Sequence, residues 1–167
     1  PYGLDKLYGE HLGSLWDSLY SQQIVALRYF NVFGPRQDPT SPYSGVISIF
    51  VNRLLEKKAP TIFGDGEQTR DFVFVKDVVD ANVSAMFAPY RGFRAFNVGA
   101  GCQTSLNQLL NQLQELAGTS MTPVYEKARE GDIRHSVADI SRIQQELGYA
   151  PSRTLGEGLR LLLDSVR

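Results

Sequence analysis

Apolar side chains at Leu4, Leu7, Tyr8, Leu12, Leu15, Trp16 and Leu19 recur at steps of three and four residues. That spacing predicts an amphipathic helix from Pro1 to about Gln22 with one buried face, and Pro1 suits a first helical position. The following stretch, IVALRYFNVFG, is a continuous β-branched and aromatic run closed by Gly34-Pro35. It predicts a strand buried on both faces of a parallel sheet. PRQDPTSPYSG is rich in turn residues and long enough to be a functional loop.

Further on, the pattern predicts a helix from Val46 to about Lys57 and two short strands around a Gly-Asp-Gly turn in APTIFGDGEQTRDFVFV. A helix follows from Lys76 to about Ala88, then a strand in FRAFNVGAG. Ser105 to about Ala117 is a helix entered through Thr104 or Ser105 as cap. TPVYEKA predicts a short strand, REGDIRHS a polar turn, and Asp139 to Leu147 and Leu155 to Arg167 the closing helices. Strands alternating with helices argue an α/β architecture. No internal repeat, low-complexity stretch or interdomain linker interrupts it.

Composition adds little to this picture: 167 residues, 43% hydrophobic, with 17 basic against 18 acidic side chains. A net charge of -1 supplies no global field for nucleic acid or an anionic membrane, so any bound anion is held by a few placed arginines. No stretch reaches the ~20 apolar residues of a membrane span and no signal segment is visible, so the chain reads as cytoplasmic. Cys102 is the only cysteine. It has no basic neighbour and is expected to be a small buried hydrophobe.

The candidate chemistry starts on the first helix. At about 100° per residue, Tyr2 and Lys6 lie within roughly 40° of each other, away from the centre of the apolar stripe. Gly9 and Gly13 share their side, which suggests close approach by a backbone or ligand. A tyrosine is a poor base at its ordinary pKa of about 10, and a neighbouring ammonium favours its phenolate. A lone Tyr-x-x-x-Lys is more often a solvated surface pair. Asn31, in an otherwise apolar run, is either a structural amide or a ligand contact at the edge where open α/β sheets bind. Arg70 in QTRDF and Arg129 in AREGD offer forked donors for phosphate, or surface ion pairs with the adjoining Asp71 and Glu130.

Taken in order, Tyr-x-x-x-Lys, RYFNVFGPRQ, IFGDGEQTRDFVFVKDVV, FNVG and REGD before ADISR resemble the C-terminal half of the extended short-chain dehydrogenases/reductases. Within them the chain is most similar to the NAD-dependent UDP-hexose 4-epimerases, especially those accepting N-acetylhexosamines. The resemblance implies a Rossmann-like fold without its N-terminal dinucleotide-binding half. About 1–35 would be the remnant of that domain and about 36–167 the mainly substrate-binding region of one compact unit.

It also implies roles. Tyr2 takes the proton of a sugar hydroxyl, and Lys6 holds the nicotinamide ribose. Tyr29, Phe30 and Val32 lie against the nicotinamide, and Asn31 contacts the sugar diphosphate. Arg70 and Arg129 clamp the diphosphate, Asp132 binds the uridine ribose, and Thr61 and Phe63 lie on the strand recognising uracil, with Val46 nearby. Ser136 stands where relatives restricted to unsubstituted hexoses carry tyrosine, leaving room for an N-acetyl group. Gln37 resembles a loop residue near the sugar. Many relatives read isoleucine-proline where this chain has Ile47-Ser48. No metal is implied.

No glycine-rich pyrophosphate turn follows a strand here, and the upstream serine or threonine of relatives is absent. The expectation is therefore the C-terminal portion of a UDP-glucose/UDP-N-acetylglucosamine 4-epimerase, inactive alone and binding NAD poorly. Its uncovered apolar surface would be met by the missing half or by self-association as a homo-oligomer. The alternatives are a non-catalytic UDP-sugar-binding module, and a portion of a related dehydratase, decarboxylase or uronate epimerase.

Overall fold

The computed structural model describes residues 2–37 and 45–166. Most of the loop expected at 35–45 lies outside them.

Helix α1 (Tyr2–Tyr20) leads into β1 (Ile24–Tyr29) and β2 (Asn31–Phe33), and α2 (Val46–Leu55) into β3 (Thr61–Phe63). Then come β4 (Thr69–Arg70), β5 (Phe72–Phe74), α3 (Val75–Phe87) and β6 (Phe93–Val98). The remainder is β7 (Thr104–Ser105), α4 (Leu106–Ala117), β8 (Val124–Glu126), α5 (Ser141–Leu147) and α6 (Leu155–Val166). The α/β alternation holds.

Three parallel pairs, β1 with β6, β2 with β5 and β3 with β8, carry the sheet structure, and β4 pairs antiparallel with β7. In the largest, Ile24 through Tyr29 run in register with Phe93 through Val98. Where the single strand IVALRYFNVFG was expected, pairing changes at Phe30, whose N–H bonds the Val98 carbonyl before Asn31 turns to Asp71. Nor is β1 buried on both faces: none of its residues is fully buried. Likewise the region around the Gly-Asp-Gly turn forms three strands rather than two, because Asp71 breaks the ladder between β4 and β5.

Two apolar clusters hold these elements. One packs α2, α4 and α6 against β2, β3 and β5 through residues such as Phe33, Phe50, Phe74, Leu109, Leu113 and Leu159. The other joins α3, α5, β5 and β6 through Val73, Ala81, Phe96, Val98, Ile143 and Tyr149. Helix α4 starts in a capping box, Ser105 Oγ accepting from Gln108 N and Gln108 Oε1 from Ser105 N, and ends at Gly118 with φ 67°. Both ends are thus satisfied by the sequence itself.

The first helix departs from expectation. No residue of α1 is buried, with Leu4 71% and Trp16 51% exposed. Its small and polar side faces the sheet instead. A Cβ on Gly13 would sit 2.9 Å from the Phe93 ring and 3.3 Å from Ile24, and Asp17 Oδ2 accepts the Phe93 N–H at 3.0 Å. Cys102 is also exposed rather than buried, in the turn after β6.

Candidate functional site

Because α1 turns that side inward, the face carrying Tyr2 and Lys6 looks onto β1. The two residues are one helical turn apart, and Lys6 Nζ stands 5.1 Å from the centre of the Tyr2 ring. Between α1 and β1 runs a cleft of about 500 Å³ lined by Tyr2, Lys6, Gly9, Glu10 and residues 26–29. Nothing lies within 4 Å of a Cβ placed on Gly9, so this glycine borders open space, whereas Gly13 provides the close approach expected of the pair.

At the cleft wall, Arg28 Nε and Nη2 donate to the two Glu10 oxygens at 2.7 and 2.6 Å. The guanidinium holds the Glu10 carboxyl below the usual carboxylate range, against a smaller opposing effect of burial.

A second cleft, about 380 Å³, shares Tyr2 and Tyr29 with the first. It is completed by Phe30, Asn31, Val32, Phe33, Gln37, Gly45, Val46, Ile47 and Phe72. Seven of the residues singled out from sequence thus meet around one opening: Tyr2, Tyr29, Phe30, Asn31, Val32, Gln37 and Val46. Asn31 is exposed rather than interior. Its backbone N–H is tied to the Asp71 carbonyl at 3.0 Å while its residue lines the cleft, the edge placement that open α/β sheets give to ligand contacts.

The remaining candidates form a separate cluster. Arg70 Nη1 donates to the Thr69 and Ile133 carbonyls at 2.8 and 2.7 Å, and Nη2 pairs with Asp132. The ion-pair partner of Arg70 is thus Asp132, not the adjoining Asp71. Arg129 stacks its guanidinium 4.0 Å from the centre of the Phe63 ring rather than pairing with Glu130. Thr61 and Phe63 both lie on β3, whose partner β8 immediately precedes the Arg129 segment. Ser136 is half-buried, its N–H bonding the Thr69 carbonyl at 3.2 Å.

Asp71 joins the two regions. It is fully buried, and its carboxylate accepts the N–H groups of Ala100, Gly101 and Ala138 at 2.7, 2.9 and 3.0 Å. Through its carbonyl it holds Asn31, and through its side chain the segment that carries Asp132 and Ser136.

The profile of the NAD dependent epimerase/dehydratase family matches residues 1–99. The chain belongs to this family. Among its relatives is a UDP-glucose 4-epimerase of Mycolicibacterium smegmatis, 39% identical over 167 residues, of whose length the chain covers 53%. Among solved structures, the UDP-glucose 4-epimerase of Thermotoga maritima, with UDP-glucose, superposes with a TM-score of 0.95 at 41% identity, covering 100% of this chain and 53% of that one. The UDP-N-acetylglucosamine 4-epimerase of Methanobrevibacter ruminantium, in complex with UDP-N-acetylmuramic acid, gives 0.93 at 37%, covering 99% and 53%. The chain therefore spans about half the length of the relatives it matches.

Membership accounts for the extended dehydrogenase/reductase topology around Tyr2 and Lys6. Among the described residues, no helix is long and apolar enough to cross a membrane. Sequence reasoning passed over Glu10 and Arg28, and read Asp71 only as a surface partner for Arg70, whereas it is fully buried. Asp71 stands at the polar edge of the run FVFV, where its sequence neighbours point as readily to a surface pair with Arg70, while the Glu10–Arg28 pair spans two elements and left no local trace.

Proposed function

We propose that the chain is the nucleotide-sugar-binding portion of an NAD-dependent UDP-hexose 4-epimerase of the UDP-glucose/UDP-N-acetylglucosamine type. The observation that carries this reading is the meeting of Tyr2 and Asn31 at one cleft, with Lys6 on the adjoining one. In this reading Tyr2 takes the proton of the sugar C4 hydroxyl and returns it after the carbon has been inverted. Lys6 would hold the nicotinamide ribose hydroxyls through its ammonium donors. Asn31, Arg70 and Arg129 hold the diphosphate, and Asp132 the uridine ribose. Thr61, Phe63 and Val46 receive the uracil, and Gln37 and Ser136 border the sugar. A small side chain at Ser136 suits an N-acetyl substituent.

The residues present fit the nicotinamide end of NAD. Open space beside Gly9 and the ammonium donors of Lys6 suit a ribose, and Tyr29, Phe30 and Val32 offer a partly apolar wall. NAD, when bound, supplies the acceptor and donor of the C4 hydride. No glycine-rich turn for its pyrophosphate occurs in these 167 residues, so the polypeptide by itself turns over no substrate. The exposed apolar side of α1 and the half-buried β1 support coverage by an N-terminal dinucleotide-binding half or by a second copy. The same surface favours one alternative, a non-catalytic UDP-sugar-binding module that assembles with itself.

An epimerisation assay with NAD and UDP-N-acetylglucosamine tests the enzyme reading. The polypeptide alone should form no UDP-N-acetylgalactosamine. Supplied with a complementary dinucleotide-binding half it should do so, and Tyr2→Phe should abolish the reaction. Turnover by the polypeptide alone, or full activity of the Tyr2→Phe assembly, would overturn it.

A further inference from the structure

Lys6 has only one acidic residue three or four positions away on α1, and that residue is Glu10. Residues four apart on a helix are neighbours, so the sequence offers Glu10 to Lys6 as an ion-pair partner, in the weaker lysine-first order. Such a pair would draw the ammonium along the helix, away from Tyr2, and leave a carboxylate in its place beside the cleft. The structure contains a different arrangement. Both Glu10 oxygens are occupied by the Arg28 fork from β1, Lys6 makes no ion pair among the described residues, and its ammonium stands over the Tyr2 ring.

We infer that Arg28 is a positioning residue: by capturing the Glu10 carboxylate it leaves the Lys6 ammonium free to stay with Tyr2. The geometry is well suited to this. A guanidinium engages a carboxylate through two parallel bonds, which a single ammonium cannot match, so Arg28 outcompetes Lys6 for Glu10. Its place on β1, one residue before Tyr29, also sets the pair at the wall of the cleft that Tyr2 and Lys6 share. The charged and titratable groups around Lys6 are Tyr2, Asp5 and Glu10 on α1, with His11 beside Glu10, and Arg28 and Tyr29 on β1. Of these, Arg28 is the other cation lining the cleft, and the Glu10 side chain, 17% exposed against 51% for Arg28, is the more enclosed partner. The catalytic importance of the arrangement rests on the reading of Tyr2 and Lys6 as the reacting pair, but the arrangement itself does not.

The test is a set of nuclear Overhauser measurements between the Lys6 side-chain methylenes and the Tyr2 ring protons in the whole chain. In Arg28→Met the Lys6–Tyr2 cross-peaks should vanish and the Lys6 methylenes should move next to Glu10. Arg28→Lys should retain the cross-peaks in part. The double variant Glu10→Gln/Arg28→Met should restore them, because no carboxylate is left to take Lys6. An Arg28→Met chain in which Lys6 stays beside Tyr2 would overturn the inference. So would a double variant without the cross-peaks, since Arg28 would then act only by fastening α1 to β1. Should Arg28→Met not fold, Arg28→Gln is read in its place: Lys6 moved next to Glu10 supports the inference, and Lys6 still beside the Tyr2 ring overturns it. Failure of the unaltered chain to bind UDP would sink the proposed function without moving Lys6 from Tyr2, so the two failures are distinguishable.

Discussion

Replacing Asp71 with alanine should remove a large share of the stability of the chain. The carboxylate is fully buried and accepts N–H groups from Ala100, Gly101 and Ala138, at 2.7, 2.9 and 3.0 Å. Hydrogen bonds to a charged group contribute about 1.5–3 kcal/mol each, and a buried donor left without an acceptor costs about 1–3 kcal/mol. Three orphaned donors would nominally cost about 3–9 kcal/mol, and water entering the vacated space would offset part of this. The expected loss is about 3–5 kcal/mol, against the roughly 5–15 kcal/mol by which domains are stable. Asp71→Asn keeps one oxygen but turns an amide NH2 toward at least one backbone donor, so it should fall between, at about 1.5–3 kcal/mol. Urea denaturation followed by circular dichroism reads both, as lower midpoints at an unchanged slope. A loss below about 1 kcal/mol for Asp71→Ala, or an asparagine variant less stable than the alanine one, would refute the reasoning.

The Asp65 carboxyl is held down to about 2, chiefly by its hydrogen bonds from Arg134 and further by the Glu67 N–H. A depressed carboxyl stabilises the fold above its unfolded value of about 3.9, and that contribution fades as the pH falls through the folded value. Asp65→Asn should therefore narrow its gap in melting temperature from the unaltered chain between about pH 4 and pH 2, a parallel offset being the contrary result. In the core, a Cβ added at Gly158 would lie 2.7 Å from Phe33 and 3.0 Å from Phe74. Gly158→Ala should cost about 1–3 kcal/mol by overpacking the contact of α6 with β2 and β5, measured by the same denaturation; unchanged stability would argue against so tight a contact.

What the sequence revealed, and what it concealed, follows from the range of the interactions involved. Helix α4 was readable because its signals are local: Ser105 and Gln108 close the capping box within one turn, and the apolar positions are filled by leucines that reach the core. Tyr2, residues 29–32, Gln37 and Val46 were legible as a set only through the order of motifs, and the fold does bring them to one cleft. On α1 the apolar spacing was real but did not specify what covers it. The side that meets β1 and β6 within this chain is the one with Glu10, Gly13 and Asp17, because a glycine admits Phe93 and two carboxylates find Arg28 and the Phe93 N–H. The exchange of partners at Arg70 was hidden for a related reason. Asp71, next in sequence, is turned inward to three backbone donors, which leaves Arg70 to a carboxylate at position 132.

The most direct test of the central claim, that these residues form a nucleotide-sugar site, is calorimetric titration of the 167-residue chain with UDP-N-acetylglucosamine. The account predicts saturable binding at one site, competed by UDP and weakened by both Arg70→Ala and Arg129→Ala. Absence of binding, or binding that neither arginine variant weakens, would contradict it.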